Sequence, residues 1–115
     1  MKMTQAELNI LINQPEEPKL SGADLSGADL HSAKISYADF SKADLSGADL
    51  TDTDLRDANL SHANLKGARL FGADLRGANL AGVKLDGINL LGVSYNEQTI
   101  WPDGFNPVGT GAHRM

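Results

Sequence analysis

The chain has 115 residues, 41 % of them apolar and only one of them tryptophan, which fits a single slim domain better than a thick globular core. It has no cysteine, so disulfides and thiol chemistry are excluded. The formal net charge of −5 disfavours nonspecific binding to nucleic acid or to an anionic membrane.

The first predicted element is a short N-terminal helix. Thr4 and Glu7 have the spacing of a capping box, in which each side chain binds the backbone amide of the other residue. Apolar residues follow at helical spacing: Leu8, Leu11 and Ile12. We predict a helix from about Gln5 to Asn13, within a capping segment that covers residues 1–17. An extended segment over residues 8–12 is the alternative.

A five-residue repeat fills residues 18–93. Every fifth residue from Leu20 to Leu90 is large and apolar, and thirteen of these fifteen residues are leucine. Two positions earlier, from Ala23 to Ala78, eleven of the twelve residues are alanine and only Thr53 differs. A period of five matches neither a helix nor a flat strand. The chain must therefore turn a corner once per pentad, so that both apolar positions always point to one axis.

Four right-angle corners close a square turn of twenty residues, and successive turns stack through backbone hydrogen bonds at about 4.8 Å. The fold class predicted from the repeat is therefore an all-β solenoid. Alanine suits the inward site beside each leucine, because two large groups per side would overfill the narrow interior. The central apolar residues form the predicted core, among them Leu25, Phe40, Leu45, Leu60, Leu65 and Leu80.

The corners carry a glycine signal. Glycine occupies nine of the fifteen positions that lie two residues after the central apolar residue. Since a type II turn requires positive φ at this position, we predict type II corners at the glycines. We predict a different turn geometry at Tyr37 and Lys42, whose side chains disfavour positive φ.

The period dissolves after residue 93, and residues 94–115 form a predicted C-terminal cap and tail. We expect apolar side chains of this segment to pack over the open last coil: Tyr95, Ile100, Trp101 and Phe105. The last residues, Gly109 to Met115, are expected to be mobile.

The repeat resembles the motif A-(D/N)-L-x-x of the pentapeptide-repeat proteins, especially small cyanobacterial members. The run S-G-A-D-L from Ser21 to Leu25 is followed at once by a second identical run from Ser26 to Leu30. The resemblance implies a right-handed quadrilateral β-helix, here of nearly four coils, with a short N-terminal helix and a C-terminal aromatic cap. It covers about two thirds of the chain.

Residues twenty apart should stack on one face, and one outward column is unusual. It contains His31, Thr51, Phe71 and Leu91, so that two apolar side chains are adjacent and point outward. Two interpretations stay open. Either the C-terminal tail folds back over Phe71 and Leu91, or they form a patch for a partner protein or a second copy.

The outward acidic columns are the other candidate contact surface. They include Asp24 with Asp44 and Asp29 with Asp49. The repeated Asp and Asn are better explained as structural ladders than as metal ligands or acid/base groups. We predict no catalytic residue, metal or cofactor, and the three histidines should not meet in a ligand set.

The sequence favours a noncatalytic scaffold that acts in protein–protein interaction or as a structural element, either as a monomer or as a homodimer. We expect neither nucleic acid nor membrane as a partner, and a cytoplasmic location, because no apolar run or secretory signal is evident. The family suggests one alternative, an inhibitor or protector of DNA gyrase that mimics DNA. Basic residues interrupt the acidity in the second half and disfavour it: Lys66, Arg69, Arg76 and Lys84. Ice binding is weaker still, since outward threonines are nearly absent.

Overall fold

The pentads wind into a square solenoid in which residues twenty apart lie side by side. The computed structural model describes residues 1–115 and measures 37 × 25 × 19 Å. Parallel bridges join Asp24 to Asp44, Asp29 to Asp49 and Asp39 to Asn59, always at this spacing. We number the coils from residue 18, so that coils 1, 2 and 3 are residues 18–37, 38–57 and 58–77, and coil 4 begins at residue 78.

One inward column of large side chains fills the solenoid. The six central residues predicted for the core are all fully buried: Leu25, Phe40, Leu45, Leu60, Leu65 and Leu80. The inward Ala column lies beside them, and Thr53 takes one of its places. The Thr53 hydroxyl donates a hydrogen bond of 2.8 Å to the carbonyl of Leu30, so this buried polar group is satisfied.

The corners share positive φ and the same closing hydrogen bond, whichever residue occupies them. At each corner the amide of the inward residue donates a hydrogen bond to the carbonyl of the apolar residue three positions earlier, as the Ala38 amide does to the Ile35 carbonyl at 3.2 Å. φ is +64° at Tyr37 and +71° at Gly72, and it is positive at Lys42 as well. The prediction of a different geometry at Tyr37 and Lys42 is therefore wrong. The closing bond and the ladder to neighbouring coils fix the corner, although left-handed backbone costs an L-residue about 1–2 kcal/mol.

Helix α1 runs from Gln5 to Ile12, with Thr4 as its N-cap and Asn13 as its C-cap. The capping box is present as predicted: the Glu7 amide donates to the Thr4 hydroxyl at 3.1 Å, and the Thr4 amide donates to Glu7 Oε1 at 3.0 Å. The alternative of an extended segment is wrong. No helix of the structure combines the length and apolar character needed to cross a bilayer.

The helix caps the first coil through Leu8, which is fully buried, and through Ile12, which packs against the core. Leu11 was also expected to cap, but 36 % of its surface is exposed. The reason is rotational: Leu8 and Ile12 lie four residues apart on one helix face, and Leu11 lies beside that face.

The repeat continues beyond coil 4 with one inserted residue. Asn79 bridges to Ile100 rather than to residue 99, so Thr99 takes the inward alanine position and Trp101 the leucine position. Ile100 therefore points outward and is 51 % exposed, contrary to the prediction that it caps the core. The Trp101 ring lies between those of Tyr95 and Phe105, with centroid separations of 5.4 and 5.2 Å.

The end of the chain is paired with coil 4. Strand β1 (Ser94–Tyr95) runs parallel to strand β2 (His113–Arg114). Two amides extend this ladder, from His113 to the Val93 carbonyl at 2.7 Å and from Met115 to the Tyr95 carbonyl at 2.8 Å. The sequence predicts a mobile end here, but a backbone ladder anchors residues 111–115 instead.

Candidate interaction surface

Phe71 and Leu91 form an exposed apolar pair at one corner of coils 3 and 4. We call it the Phe71–Leu91 patch. The amide of Gly72 donates to the carbonyl of Leu91 at 3.2 Å, which places the two residues on adjacent coils. Each is 50 % exposed, whereas the leucine preceding each of them is buried. The pentad thus holds two large apolar side chains in water at fixed positions.

The C-terminal tail passes beside this patch without burying it. The Gly92 amide donates to the Gly111 carbonyl at 3.0 Å, so the tail crosses next to Leu91. A Cβ atom on Gly111 would lie 3.2 Å from both Cα and Cδ1 of Leu91. Glycine is therefore what permits this close approach. The sequence leaves open whether the tail covers both residues. In the structure the tail covers only one edge of Leu91, and Phe71 stays exposed.

The outward Asp and Asn side chains share a local hydrogen bond. Where Asp or Asn precedes the central apolar residue, Oδ1 commonly accepts from the amide two residues later, as Asp44 does from Ser46 at 3.0 Å and Asn59 from Ser61 at 3.0 Å. Aspartates with this bond are Asp24, Asp29, Asp39, Asp44, Asp49, Asp54 and Asp74, and asparagines are Asn59, Asn64, Asn79, Asn89, Asn96 and Asn106. Such Asx turns give these residues a structural role at the corners.

The same bonds stabilise the ionised carboxylates. The Ser41 hydroxyl donates to Asp39 at 2.6 Å and its amide at 2.9 Å, which lowers the pKa of Asp39. The hydroxyl and amide of Ser26 lower the pKa of Asp24 in the same way. These carboxylates are committed as acceptors in their charged form, unlike a general acid, whose proton must be available near neutral pH.

Ion pairs reduce the acidity of coils 2 and 3. Arg76 binds Asp74 at 2.6 Å, Arg56 binds Asp54 at 2.8 Å, and Arg56 Nε lies 3.9 Å from Asp74. On the neighbouring face, Arg69 lies 3.5 Å from Asp49. Two of the predicted acidic columns therefore differ: Asp24 and Asp44 have no arginine partner, and Asp49 has one.

Three possible ligand residues lie far apart in the fold. His31 belongs to the corner column of the Phe71–Leu91 patch, His62 lies over Gly82 at another corner, and His113 is in β2. Nowhere do three His, Asp or Glu side chains gather as a metal ion would require.

Sequence reasoning missed a cleft between coils 3 and 4. Its volume is about 520 Å³, and it is lined by His62, Ala63, Asn64, Leu65, Lys66, Gly82, Lys84 and Asp86. The signal that could have indicated it is the replacement of the inward alanine by Val83 and Ile88, two groups too large for a site beside a leucine.

Comparisons with known proteins agree with this architecture. The model of the Pentapeptide repeats family matches eight copies over residues 19–52 and 53–92. The crystal structure of a pentapeptide repeat protein from Nostoc PCC 7120 superposes with a TM-score of 0.83 at 37 % identity, covering 87 % of this chain and 83 % of that one. A search of the curated proteins gave no match.

Two further structures are less similar. A pentapeptide repeat protein from the Arabidopsis thaliana thylakoid lumen has a TM-score of 0.69 at 32 % identity over 82 % of this chain, which spans 59 % of that protein. QnrB1, a plasmid-mediated fluoroquinolone resistance protein, has a TM-score of 0.49 at 18 % identity over 87 % of this chain and 66 % of that one, too low to inform function. The twenty-residue square coil, the buried Leu and Ala columns and these matches agree: the chain belongs to the pentapeptide repeat family, whose fold is the right-handed quadrilateral β-helix.

Proposed function

We propose that this protein is a noncatalytic scaffold that binds another protein through the Phe71–Leu91 patch. The observation that carries the proposal is the adjacency of two half-exposed apolar side chains on a backbone fixed by the solenoid ladder. Burying the exposed half of both residues would contribute roughly 1–3 kcal/mol. Because the scaffold is rigid, a partner would gain this contact without the entropic cost of ordering a loop.

The surroundings of the patch suit an interface. Arg69, Asn89 and Asp49 lie on the same face, so a polar rim borders the apolar centre. Specific interfaces commonly combine a desolvated apolar centre with such a rim, and arginine is among the residues enriched there. The charged rim would orient the partner while the patch supplies the binding energy.

Affinity capture from the native host tests the proposal. Wild type, Phe71→Ser and Leu91→Ser serve as baits, and we expect specific proteins on the wild type that both variants lose. The matched control is Ile10→Ser, which removes an exposed apolar side chain from α1. Retention of the same proteins by both patch variants would overturn the proposal, as would their loss from the Ile10→Ser bait.

Self-association through the patch is the second form of the same proposal. Light scattering on wild type and Phe71→Ser distinguishes it, since a homodimer through the patch would become a monomer in the variant. Monomeric mass for both proteins would leave a different protein as the partner.

We place this activity in the cytoplasm, and fractionation of host cells with an antibody against the protein tests that location.

DNA mimicry remains the alternative function and has less support. A mimic of duplex DNA requires a continuous acidic surface, but arginines pair with Asp49, Asp54 and Asp74. Binding to purified gyrase, lost when Asp24 and Asp44 are changed to Asn, would favour this alternative over the scaffold. Asn keeps the Oδ1 acceptor, so the fold would be retained in that variant.

A further inference from the structure

The backbone ladder is interrupted between coils 3 and 4. Between coils 2 and 3, Leu45 donates to Asn64 at 2.8 Å, Asn64 to Ala43 at 2.9 Å and Gly47 to Lys66 at 2.8 Å. One coil later the equivalent amides have no hydrogen-bond partner in the protein, and the next side lacks its two bonds as well. The unpaired amides belong to Leu65, Gly67, Leu70, Lys84 and Asn89.

The interruption coincides with a change in the inward column. Val83 and Ile88 stand where earlier coils have alanine, beside Leu85 and Leu90. Val83 is buried and Ile88 is partly buried against the core, so both point inward. The missing bonds show that the backbone of coil 4 is displaced from coil 3 beside Val83 and Ile88, whereas Val93, which also replaces an alanine, lies where the tail pairs coil 4 from the other side and the ladder is intact. The ladder resumes at residues 91–94, which the C-terminal tail pairs from the other side.

The resulting cleft presents both donors and acceptors. Its edges carry the free amides of Leu65 and Lys84 and the carbonyls of Ala63 and Lys84, which the regular ladder would have joined. An anion such as phosphate would satisfy only the donors. An extended peptide offers amides and carbonyls in alternation, as in the addition of a strand to an open sheet edge. The volume of about 520 Å³ is within the range of small-molecule sites, so a side chain and its main chain can enter it.

The charged residues around the cleft indicate which charge a bound peptide should carry. Lys66 and Lys84 line it, whereas Asp86 is its one carboxylate. This excess of positive charge is local, since the whole chain carries −5. Complementarity therefore favours acidic side chains on the ligand.

The cleft also leads to the apolar patch. The unpaired stretch ends where Gly72 binds the Leu91 carbonyl at 3.2 Å, next to Phe71. We infer that the partner contacts this protein through an extended acidic segment, whose main chain pairs with the open edges of residues 63–66 and 84–86 between coils 3 and 4. An apolar residue of that segment would then reach the Phe71–Leu91 patch. This inference rests on the proposed function and names the chemistry of its partner.

Selection from a display library of random dodecapeptides tests the inference. We expect the selected peptides to be rich in Asp and Glu. Synthetic versions that are N-methylated at alternate residues should bind wild type at least about tenfold more weakly, because each loses main-chain donors. Amide exchange should show that the bound peptide protects Leu65 and Lys84. Failure to select any peptide, or binding indifferent to N-methylation, would overturn the inference, and so would equal protection by inorganic phosphate.

A variant that closes the cleft provides the second arm. Val83→Ala with Ile88→Ala restores the inward alanines, so the five missing backbone bonds should form and peptide binding should fall about tenfold or more. Val93→Ala is the matched control, because it makes the same change where the ladder is intact. Undiminished binding to the closed variant contradicts the inference. If Phe71→Ser abolishes capture of the partner and the closed variant does not, the proposed function stands and the acidic-segment inference fails.

Discussion

The carboxylate of Asp52 lies against Gly72, one coil further along, in the space that a Cβ atom on Gly72 would occupy. Both residues have positive φ, +56° and +71°. Corners that are twenty residues apart are therefore in steric contact: the side chain of Asp52 on one coil fills the space that Gly72 leaves free on the next. The first prediction follows from this contact.

Gly72→Ala should destabilise the protein more than Gly22→Ala. Both substitutions place an L-residue at a φ of +71°, which costs about 1–2 kcal/mol. Nothing lies within 4 Å of a Cβ on Gly22, whereas Gly72→Ala must also displace Asp52, adding on the order of 1 kcal/mol. Chemical denaturation measures both free energies of unfolding. In an Asp52→Gly background the excess should disappear, and equal costs in the wild-type background would contradict the prediction.

Lys42→Gly should be neutral or stabilising by up to about 1 kcal/mol, although glycine usually destabilises. Lys42 has a φ of +60°, and glycine relieves that strain at the expense of greater chain entropy in the unfolded state. Lys34→Gly is the control, because Lys34 lies in the extended side of a pentad and bridges to Asp54. There glycine should cost roughly 0.5–1 kcal/mol. The thermal midpoints of the two variants should move in different directions or by clearly different amounts.

Stability should fall as the pH falls below the ordinary pKa of aspartate, about 3.9. Hydrogen bonds from Arg56 and Arg76 lower the pKa values of Asp54 and Asp74, respectively. A lowered folded-state pKa means that the stabilisation is complete above the unfolded-state pKa and is lost as the pH falls through the folded-state value. Asp54→Asn with Asp74→Asn should flatten the dependence of the unfolding free energy on pH between 4 and 2.

Asp103→Asn is the control for this acid effect, because Asp103 is exposed and its side chain accepts no hydrogen bond in the protein. The control should keep the wild-type slope. A double variant at residues 54 and 74 with an unchanged slope would show that these two carboxylates do not contribute to acid sensitivity.

Amide exchange should reveal the interrupted ladder in the free protein. The amides of Leu65 and Gly67 lack partners, while those of Leu45 and Gly47, one coil earlier, donate at 2.8 Å. We expect Leu65 and Gly67 to exchange faster than these counterparts by on the order of tenfold or more, measured by NMR. Leu65 is compared with Leu45 and Gly67 with Gly47, which are identical residues at the same place in the pentad, so the effect of sequence on the intrinsic exchange rates is small. Equal protection of the two coils would rule out the interruption.

The sequence predicts those parts of the fold that a strict period determines. The leucine period places Leu25 and Leu60 in the core, and the Thr4 capping box marks the start of α1. It does not predict the geometry at Tyr37, because local preference for negative φ loses to a corner that the ladder and the closing bond impose. Nor does it predict that Ile100 points outward, since one inserted residue after Tyr95 shifts every later side chain by one place.

The candidate surface divides in the same way. The twenty-residue coil places Phe71 beside Leu91, a neighbour relationship that can be counted along the chain. Their exposure depends on the path of the tail, which the repeat does not encode. The cleft depends on how far Val83 and Ile88 displace coil 4, and a displacement of that kind reflects packing among many groups rather than any motif.

The Asx turns separate the shape of this protein from its charge. Asp and Asn present the same Oδ1 to the amide two residues later, as Asp44 and Asn64 do one above the other. Deamidation or a single base change therefore adds or removes one charge in a column while the Asx turn and the coil beneath it are kept. In such a scaffold, the charges of the outer columns can change under selection for different partners, while the packing of the core stays the same.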